Sequence, residues 1–418
     1  ARADAATTNI GGLVAGAVVT ATSTMNGTVE AYIGANAANN ATNVKTDIDV
    51  NDGAVRVEAD AAMRSVAIVD GGGFVSLGVT VAVMLPTANL GGAYVRDGVN
   101  MQAGKLDVIA GFDDKDRVSM SAEARTDVTA LTLGVAITVL KAAANVTGTV
   151  EAFVGAASGR TRGGDPAAVA DISGQTDVRA MSDIDAVADT DGAGVAGLAT
   201  VSIMEPKAVA GGRTRAYAGD GLDLNTDTLK LDADSNAFAD ASLTAVSVAG
   251  LGAGNGLFPI ARVDSITETY VGEVAESARL TLADIEVRNG GARGAIDMDA
   301  RSTTLAQSIA NGGALAGAIA VNILNPKAEL VGATRVYVGP RTDVFAGSIL
   351  GDAVEVAAQA IATANGATGS FGVTVASFKS DATASRRTDA FDGASSFVDL
   401  GTGGALTLNA LTDLDPPM

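Results

Sequence analysis

The chain has 418 residues, with 28 Lys and Arg against 48 Asp and Glu, a net charge of −20, and no His, Cys or Trp. These counts exclude a Ser-His-Asp triad, a thiol nucleophile, a zinc finger and a His- or Cys-ligated haem, and the acidic balance disfavours nucleic acid and anionic membranes as partners. Hydrophobic residues make up 47% but aromatics only 4%, and there are 51 Gly, so the core is one of small aliphatic side chains, suited to regularly stacked sheets.

In chain order, the N-terminus Ala1-Arg2-Ala3-Asp4 has neither an initiator Met nor a signal-peptide stretch, and the chain reads as a mature or excised segment. The first distinctive element is Ala31-Tyr32-Ile33-Gly34. Asp47-Ile48-Asp49-Val50-Asn51-Asp52-Gly53 follows, with Glu58 eleven residues after Asp47. Oxygen ligands at alternate positions and a distal Glu suit a hard cation, so Asp47, Asp49, Asn51 and Glu58 are a candidate calcium site; no other cofactor is implied. The competing reading is a solvated turn, because Gly falls one place late and Glu58 lies in a predicted strand.

That strand, Val55-Arg56-Val57-Glu58-Ala59, alternates apolar and charged residues, so one face is wet and the other buried. After a predicted turn at Gly71–Gly73 comes an uncharged run, Val75 to Val83, in which Val and Leu alternate with Ser, Gly, Thr and Ala. A period of two reads as strand, which removes the transmembrane-helix reading; a membrane β-barrel would also alternate but needs aromatic girdles that 15 aromatics without Trp do not supply.

The same elements then recur. Aromatics at Tyr32, Tyr94, Phe153, Tyr217, Tyr270, Tyr337 and Phe391 sit in one local motif, spaced by 62, 59, 64, 53, 67 and 54 residues. The alternating strand recurs at Val118–Ala122, Leu229–Ala233, Ile296–Ala300, Val354–Ala358 and Leu406–Ala410, with a degenerate copy at Val178 to Ala180. Leu106 to Ile109 reads as a short extra strand. The uncharged strand recurs at Leu131–Val139, Leu315–Ile323 and Gly372–Phe378, after Gly links such as Gly192–Gly194, and both its faces read as buried. Val201-Ser202-Ile203-Met204-Glu205-Pro206-Lys207-Ala208 echoes Val321-Asn322-Ile323-Leu324-Asn325-Pro326-Lys327-Ala328 at an offset of 120, two repeats. Pro at this place ends a ladder by withholding an N–H.

Residues 1–418 therefore read as one continuous array of units of about 60 residues. Anchored on the rings, the units are 1–32, 33–94, 95–153, 154–217, 218–270, 271–337 and 338–391, with a partial unit 392–418. Each is a polar-faced strand, a Gly turn, a buried strand, a bend and the ring strand, with insertions gathered after the ring. The predicted fold is all-β and elongated, a right-handed parallel β-solenoid; the alternative is a stack of long antiparallel hairpins whose tips are the Gly turns.

The Gly/Ala/Val strand running through Val321-Asn322-Ile323-Leu324-Asn325-Pro326 into Tyr337-Val338-Gly339, and its parallel Ala216-Tyr217-Ala218-Gly219-Asp220-Gly221, resemble the repeat regions of very large bacterial surface and secreted adhesins of the leukotoxin and filamentous-haemagglutinin type. The resemblance covers most of the chain at low complexity. It implies an extracellular, elongated β-solenoid doing structural or adhesive work, and it carries over no catalytic residue.

Other patterns have plain readings. Gly192-Ala193-Gly194-Val195-Ala196-Gly197 matches a dinucleotide fingerprint but is followed by another strand rather than a helix. The acidic segments Asp113–Asp116 and Asp189–Asp191 read as solvated turns. The pairs Asp297/Asp299 and Asp232/Asp234 could face one way as glycosidase acids do, but sister copies replace them. The rings could stack sugars, or could stack on one another inside the array. The expected function is a non-enzymatic structural or adhesive component of a bacterial cell surface, filament or matrix, secreted or surface-bound, with self-association or continuation of a longer chain and surface glycans as partners. The alternatives are a β-helical polysaccharide hydrolase or lyase, and a calcium-dependent glycan-binding module.

Overall fold

The computed structural model describes residues 1–11, 15–26, 29–34, 46–84, 87–89, 92–95, 99–111, 118–156, 168–273, 283–289 and 291–412. Among these the chain is all-β, and no helix is present that could cross a membrane. One regular coil contains a long strand (Gln175–Ala196), an arc strand (Ala199–Met204), a ring strand (Lys207–Ala218) and a short strand (Leu222–Asn225). The next coil repeats them as Thr228–Ala249, Gly252–Leu257, Ile260–Val271 and Ala283–Asn289, and the one after as Ala295–Ala316, Ile319–Leu324, Lys327–Val338 and Thr342–Phe345.

Each strand pairs in parallel with its counterpart one coil away: Gln175 with Thr228 and Thr228 with Ala295 on the long strands, Lys207 with Ile260 and Ile260 with Lys327 on the ring strands. This is a parallel β-solenoid. The hairpin alternative is overturned, since among the described residues the antiparallel pairing is confined to the small Ala283–Asn289 with Ala292–Arg293 ladder.

The aromatic spacing is the coil spacing. Tyr32 pairs with Tyr94, Tyr94 with Phe153, Phe153 with Tyr217, Tyr217 with Tyr270, Tyr270 with Tyr337 and Tyr337 with Phe391. Proline marks the corner between arc and ring strands, at Pro206, Pro259 and Pro326. It has no N–H to give, but its carbonyl still serves the ladder: Pro206, Pro259 and Pro326 accept from the amides of Ile260, Lys327 and Asp381.

Three details of the sequence reading need correction. The Gly runs are not turns: Gly192–Gly194 and Gly312-Gly313 lie inside continuous long strands, and the chain reverses at Gly197-Leu198, Gly250-Leu251 and Gly317-Ala318 instead. Glycine is needed there for room, because a Cβ on Gly312 would lie 2.7 Å from the Asn322 side chain and 2.8 Å from Leu257. Asp189 to Asp191 are likewise strand residues, not a turn; Asp113–Asp116 lie outside the described residues.

The register of the polar-faced strands also differs from the pattern expected. Val55 pairs with Leu106, Leu106 with Thr176, Thr176 with Leu229, Leu229 with Ile296, Ile296 with Ile349 and Ile349 with Leu406. The supposed extra strand at Leu106 is therefore a true copy of the polar-faced strand, while Val118 and Val354 are not. From this position to the ring takes 41 residues in three coils (176 to 217, 229 to 270, 296 to 337) and 42 in the next (349 to 391). The additional residue is Val356, a bulge opposite the Ser302-Thr303 step. Length varies most at the corner after the ring, with a second insertion between Ala110 and Val118 where the next coil runs only from Ala180 to Ser182, and a solenoid accepts both because coils touch only their neighbours.

Third, the uncharged strands are not buried on both faces. Thr132, Ala136, Thr138, Thr200, Ser202 and Ala320 are buried, whereas Leu133, Leu198, Leu251, Leu315 and Ile319 are 50–71% exposed.

The main core runs along the axis in columns of small residues such as Ala180, Ala233, Ala300 and Ala353, each buried and each the partner of the last. Hydroxyl pairs brace the interior from long strand to ring strand: Ser182 with Thr214, Ser235 with Thr267 and Ser302 with Thr334. Small side chains let the opposing sheets come close enough for these bonds, which satisfy buried hydroxyls.

Candidate functional site

The rings form one continuous stack. Centroids lie 4.6 Å apart for Tyr94 and Phe153, then 4.8, 4.7, 5.0 and 4.9 Å up to Phe391, with interplanar angles of 5–12° over the last four pairs. Thr214, Ala216 and Ala218 face the main core, so period two places Arg215 and Tyr217 on the other side of the ring strand. The rings nevertheless form their own buried cluster, at most 6% exposed from Tyr94 to Tyr337. No ring in that span offers a face to a sugar. The ladder holds coil to coil.

Two residues before each ring lies a second ladder that the sequence reading missed. Glu151, Arg215, Glu268, Arg335 and Asp389 are successive partners of alternating charge. Arg215 Nε donates to Glu268 Oε1 at 2.6 Å and its Nη1 to Glu151 at 3.2 Å, while Tyr337 Oη donates to Glu268 Oε2 at 3.2 Å. Glu268 is fully buried, a position a carboxylate holds only when paired. The signal was available as sign alternation at a fixed offset from the rings.

The candidate calcium residues occupy two sheets. Asp47 and Asp49 are on the short strand Thr46–Asp49, exposed, and Glu58 is on the polar-faced strand Ala54–Ala59. Each has a local partner: Asn100 Nδ2 donates to Asp47 Oδ1 at 3.0 Å, the Asn51 amide donates to Asp49 Oδ1 at 3.1 Å, and Arg56 pairs with Glu58 at 2.7 Å. Asn51 itself has φ of 49°, completing an Asx-type turn. Among the described residues no three acidic groups converge on one point.

The acids of the long strands line up instead as rows. Asp232 is the partner of Asp299 and Asp299 of Asp352. Burial raises the Asp232 and Asp297 carboxyls above the usual range, with Asp299 adding to both. Burial and the nearby Asp189 push Asp240 up to about 6. Rows of parallel strands keep like charges near one another, which favours the protonated form.

One place gathers different chemistry from several coils. A pocket of 450 Å³ on the outer face of the long strands is bounded by Met63, Arg64, Ser121, Glu123, Asp185 and Val187, among others. Arg64, Ser121, Asp185 and Phe238 are successive partners across four coils. Arg64 Nη2 donates to Glu123 Oε2 at 2.6 Å, and Asp185 is raised by burial and by Asp183. Glu123 and Asp185 are diagonal neighbours, about 7–8 Å apart along the backbone. A carboxylate held by Arg64 and a carboxyl raised by burial, with the half-buried Phe238 next along the same row, suit the hydroxyls and ring face of a sugar.

Comparison with known protein families, curated proteins and solved structures finds no match.

Proposed function

We propose that the chain is a non-enzymatic structural or adhesive array of a bacterial cell surface, filament or matrix, acting outside the cell. The observation that carries this reading is the stack from Tyr94 to Phe391: six rings in register, each from a different coil, give an axis of uniform rise along which other coils can be added without new design. The long-strand surface repeats rows of side chains rather than building one deep cleft, as suits a spacer or a surface for multivalent contact. Electron microscopy of the purified native material tests it. Rods or fibres are expected, and isolated compact particles would count against it.

A second reading is favoured by the Arg64–Glu123–Asp185 pocket. There the array would bind an extended polysaccharide, or cleave one with Asp185 as acid and Glu123 as base. Incubation with a polysaccharide panel separates the two: no turnover is expected, and turnover abolished by Glu123→Gln would replace the structural reading. Calcium, if it acts, acts through the exposed acidic short strand around Asp47 and Asp49, and calorimetric titration with calcium alone reads it.

A further inference from the structure

The arc of each coil inverts the usual order of a soluble strand. Positions 128–140, 192–204, 245–257, 312–324 and 366–378 contain no Asp, Glu, Lys or Arg in five successive coils, in a chain of net charge −20. The two arms of each arc face one another across a small core of their own, Ala130, Ala196, Ala249, Ala314 and Ala320 among its members. Buried amides and hydroxyls close it: Asn255 Nδ2 donates to Gly313 O at 2.7 Å and Asn322 Nδ2 to Gly312 O at 2.9 Å. The large aliphatic side chains are thereby turned outward, along a thin projecting fin.

The outer face of that fin has relief. In one coil all three outward positions of the arc strand are glycine, Gly252, Gly254 and Gly256. A Cβ at Gly254 would have no heavy atom nearer than 4.0 Å, and at Gly252 none nearer than 3.9 Å, so a groove floored by backbone lies open over these two, closed at Gly256 by the Phe258 ring, which would lie 3.1 Å from a Cβ there. Its walls are Val201 and Ile203 from the coil before, and Ile319 and Ile323 from the coil after, each 36–51% exposed. Val321 stands between the last two, directly beside Gly254.

We infer that this fin is the contact between two copies of the chain, related by a two-fold axis parallel to the arc strands and midway between the coils of Gly254 and Val321. That axis places Ile319 and Val321 of each copy over Gly252 and Gly254 of the other, with Ile323 against the Phe258 ring, so one operation makes the same contact twice, as an isologous interface requires. Two observations select a second copy over other apolar partners. Ridge and groove sit on adjacent coils and share the coil spacing, so the surface is its own complement. On the outer face of the long strands two copies would set carboxylate rows against each other, and on the ring strands mixed ion pairs such as Arg262–Asp264, whereas the fin is charge-free. Four overlapping coils at about 4.8 Å, by six residues at about 3.3 Å, span roughly 19 by 20 Å. With ridged side chains the pair buries about 1,000 Å², the size of a reversible dimer. The inference deepens the structural reading by giving the array a means of lateral association, yet the two fail separately: polysaccharide turnover would remove that reading and leave the dimer.

The test is sedimentation velocity and light scattering of the 418-residue chain from 1 to 200 µM. The expected result is a monomer–dimer equilibrium with its midpoint at tens of micromolar. Gly254→Val fills the groove at a site where the fold has room, and should weaken dimerisation at least tenfold with circular dichroism and protease resistance unchanged; Val321→Lys should do the same from the ridge. A wild-type chain that stays monomeric at 200 µM overturns the inference, as does a dimer indifferent to both substitutions. A lipid occupant is distinguished with neutral phosphatidylcholine vesicles: Gly254→Val adds apolar surface, so vesicle binding that it strengthens, without any dimer, would also overturn the proposal.

Discussion

Arg386 Nε donates to Glu355 Oε2 at 3.0 Å with side chains 4% and 1% exposed, a full ion pair inside the solenoid. The carboxylate also accepts from Ser302, Thr304 and Thr334, and the guanidinium donates to the carbonyls of Ser265 and Val331. Removing one partner leaves the other charged and buried. Arg386→Met should therefore cost about 3–5 kcal/mol in urea denaturation, and Glu355→Met with Arg386→Met should recover part of that loss. The recovery should be incomplete because three hydroxyls lose their acceptor. A silent Arg386→Met would mean that the pair is not formed in solution.

Stability should fall as pH rises from about 4 to about 6. Asp240 titrates at about 6, and Asp185, Asp191, Asp232 and Asp297 are all raised, burial being the leading cause in each. An unfolded Asp titrates near 3.9. Between these values the folded chain holds protons that the unfolded chain has released, so the stabilisation is full below the unfolded value and is lost as pH passes through the folded one. Denaturation midpoints at dilute protein should be higher at pH 5 than at pH 7.5, and Asp240→Asn should flatten the slope. Midpoints that rise with pH across this window would contradict the burial of these acids.

Glycines in this chain serve opposite ends, and two alanine substitutions should show it. At Gly219 a Cβ would lie 1.9 Å from the Ala156 carbonyl oxygen, which is backbone and cannot swing away, so Gly219→Ala should cost more than about 3 kcal/mol. At Gly254 the space is open and the backbone is ordinary strand, so Gly254→Ala should stabilise by about 0.5–1 kcal/mol through reduced chain entropy. Thermal melts of the two variants below the dimerisation range decide it. Equal effects would mean that the turn at Gly219 has room for a side chain.

The coil length was legible because aromatics are scarce: with 15 in the chain, seven at one motif stand out, and their spacing is the coil register residue for residue. The polar-faced strand was harder to align, because in a 22-residue strand an apolar residue recurs every second position and Val118 or Val354 mimics the start of a copy. Glu355, which the Val354-Glu355-Val356 pattern alone sends to solvent, shares the inward phase of Ile349 and Ala353 and meets Arg386, and the bulge at Val356 changes the phase only of the residues after it. Gly192–Gly194 looked like a turn because glycine marks turns and close approach alike. In the fin, burial of the small-residue face was readable; exposure of the large one was not, since apolar residues are ordinarily taken to lie inside. The Arg64–Asp185 pocket was hidden because its members come from coils about 60 residues apart.

Excision of whole coils should depend on the parity of the number removed. Deleting residues 217–269 joins Ala216 to Tyr270, whose predecessor in the ladder is Tyr217, so the strands meet in register and the ring stack stays continuous. The charge ladder does not: Glu268 goes, and Arg215 comes to lie beside Arg335, two guanidiniums in a largely buried row. Deleting 217–336 removes two coils, joins Ala216 to Tyr337 and sets Arg215 beside Asp389, preserving alternation. The longer deletion should therefore yield the more stable rod, contrary to the expectation that stability only falls as coils are lost. Arg335→Gln should rescue the one-coil deletion while weakening the intact chain, since it removes a repulsion in one and an attraction in the other. Urea titrations of the intact chain, the two deletions, and Arg335→Gln in the intact chain and in the one-coil deletion read this out, with circular dichroism confirming strand content. If the one-coil deletion proves as stable as the two-coil deletion, the ladder through Arg215 does not set coil order. If both unfold, coils are not independent units and the array is a single cooperative body.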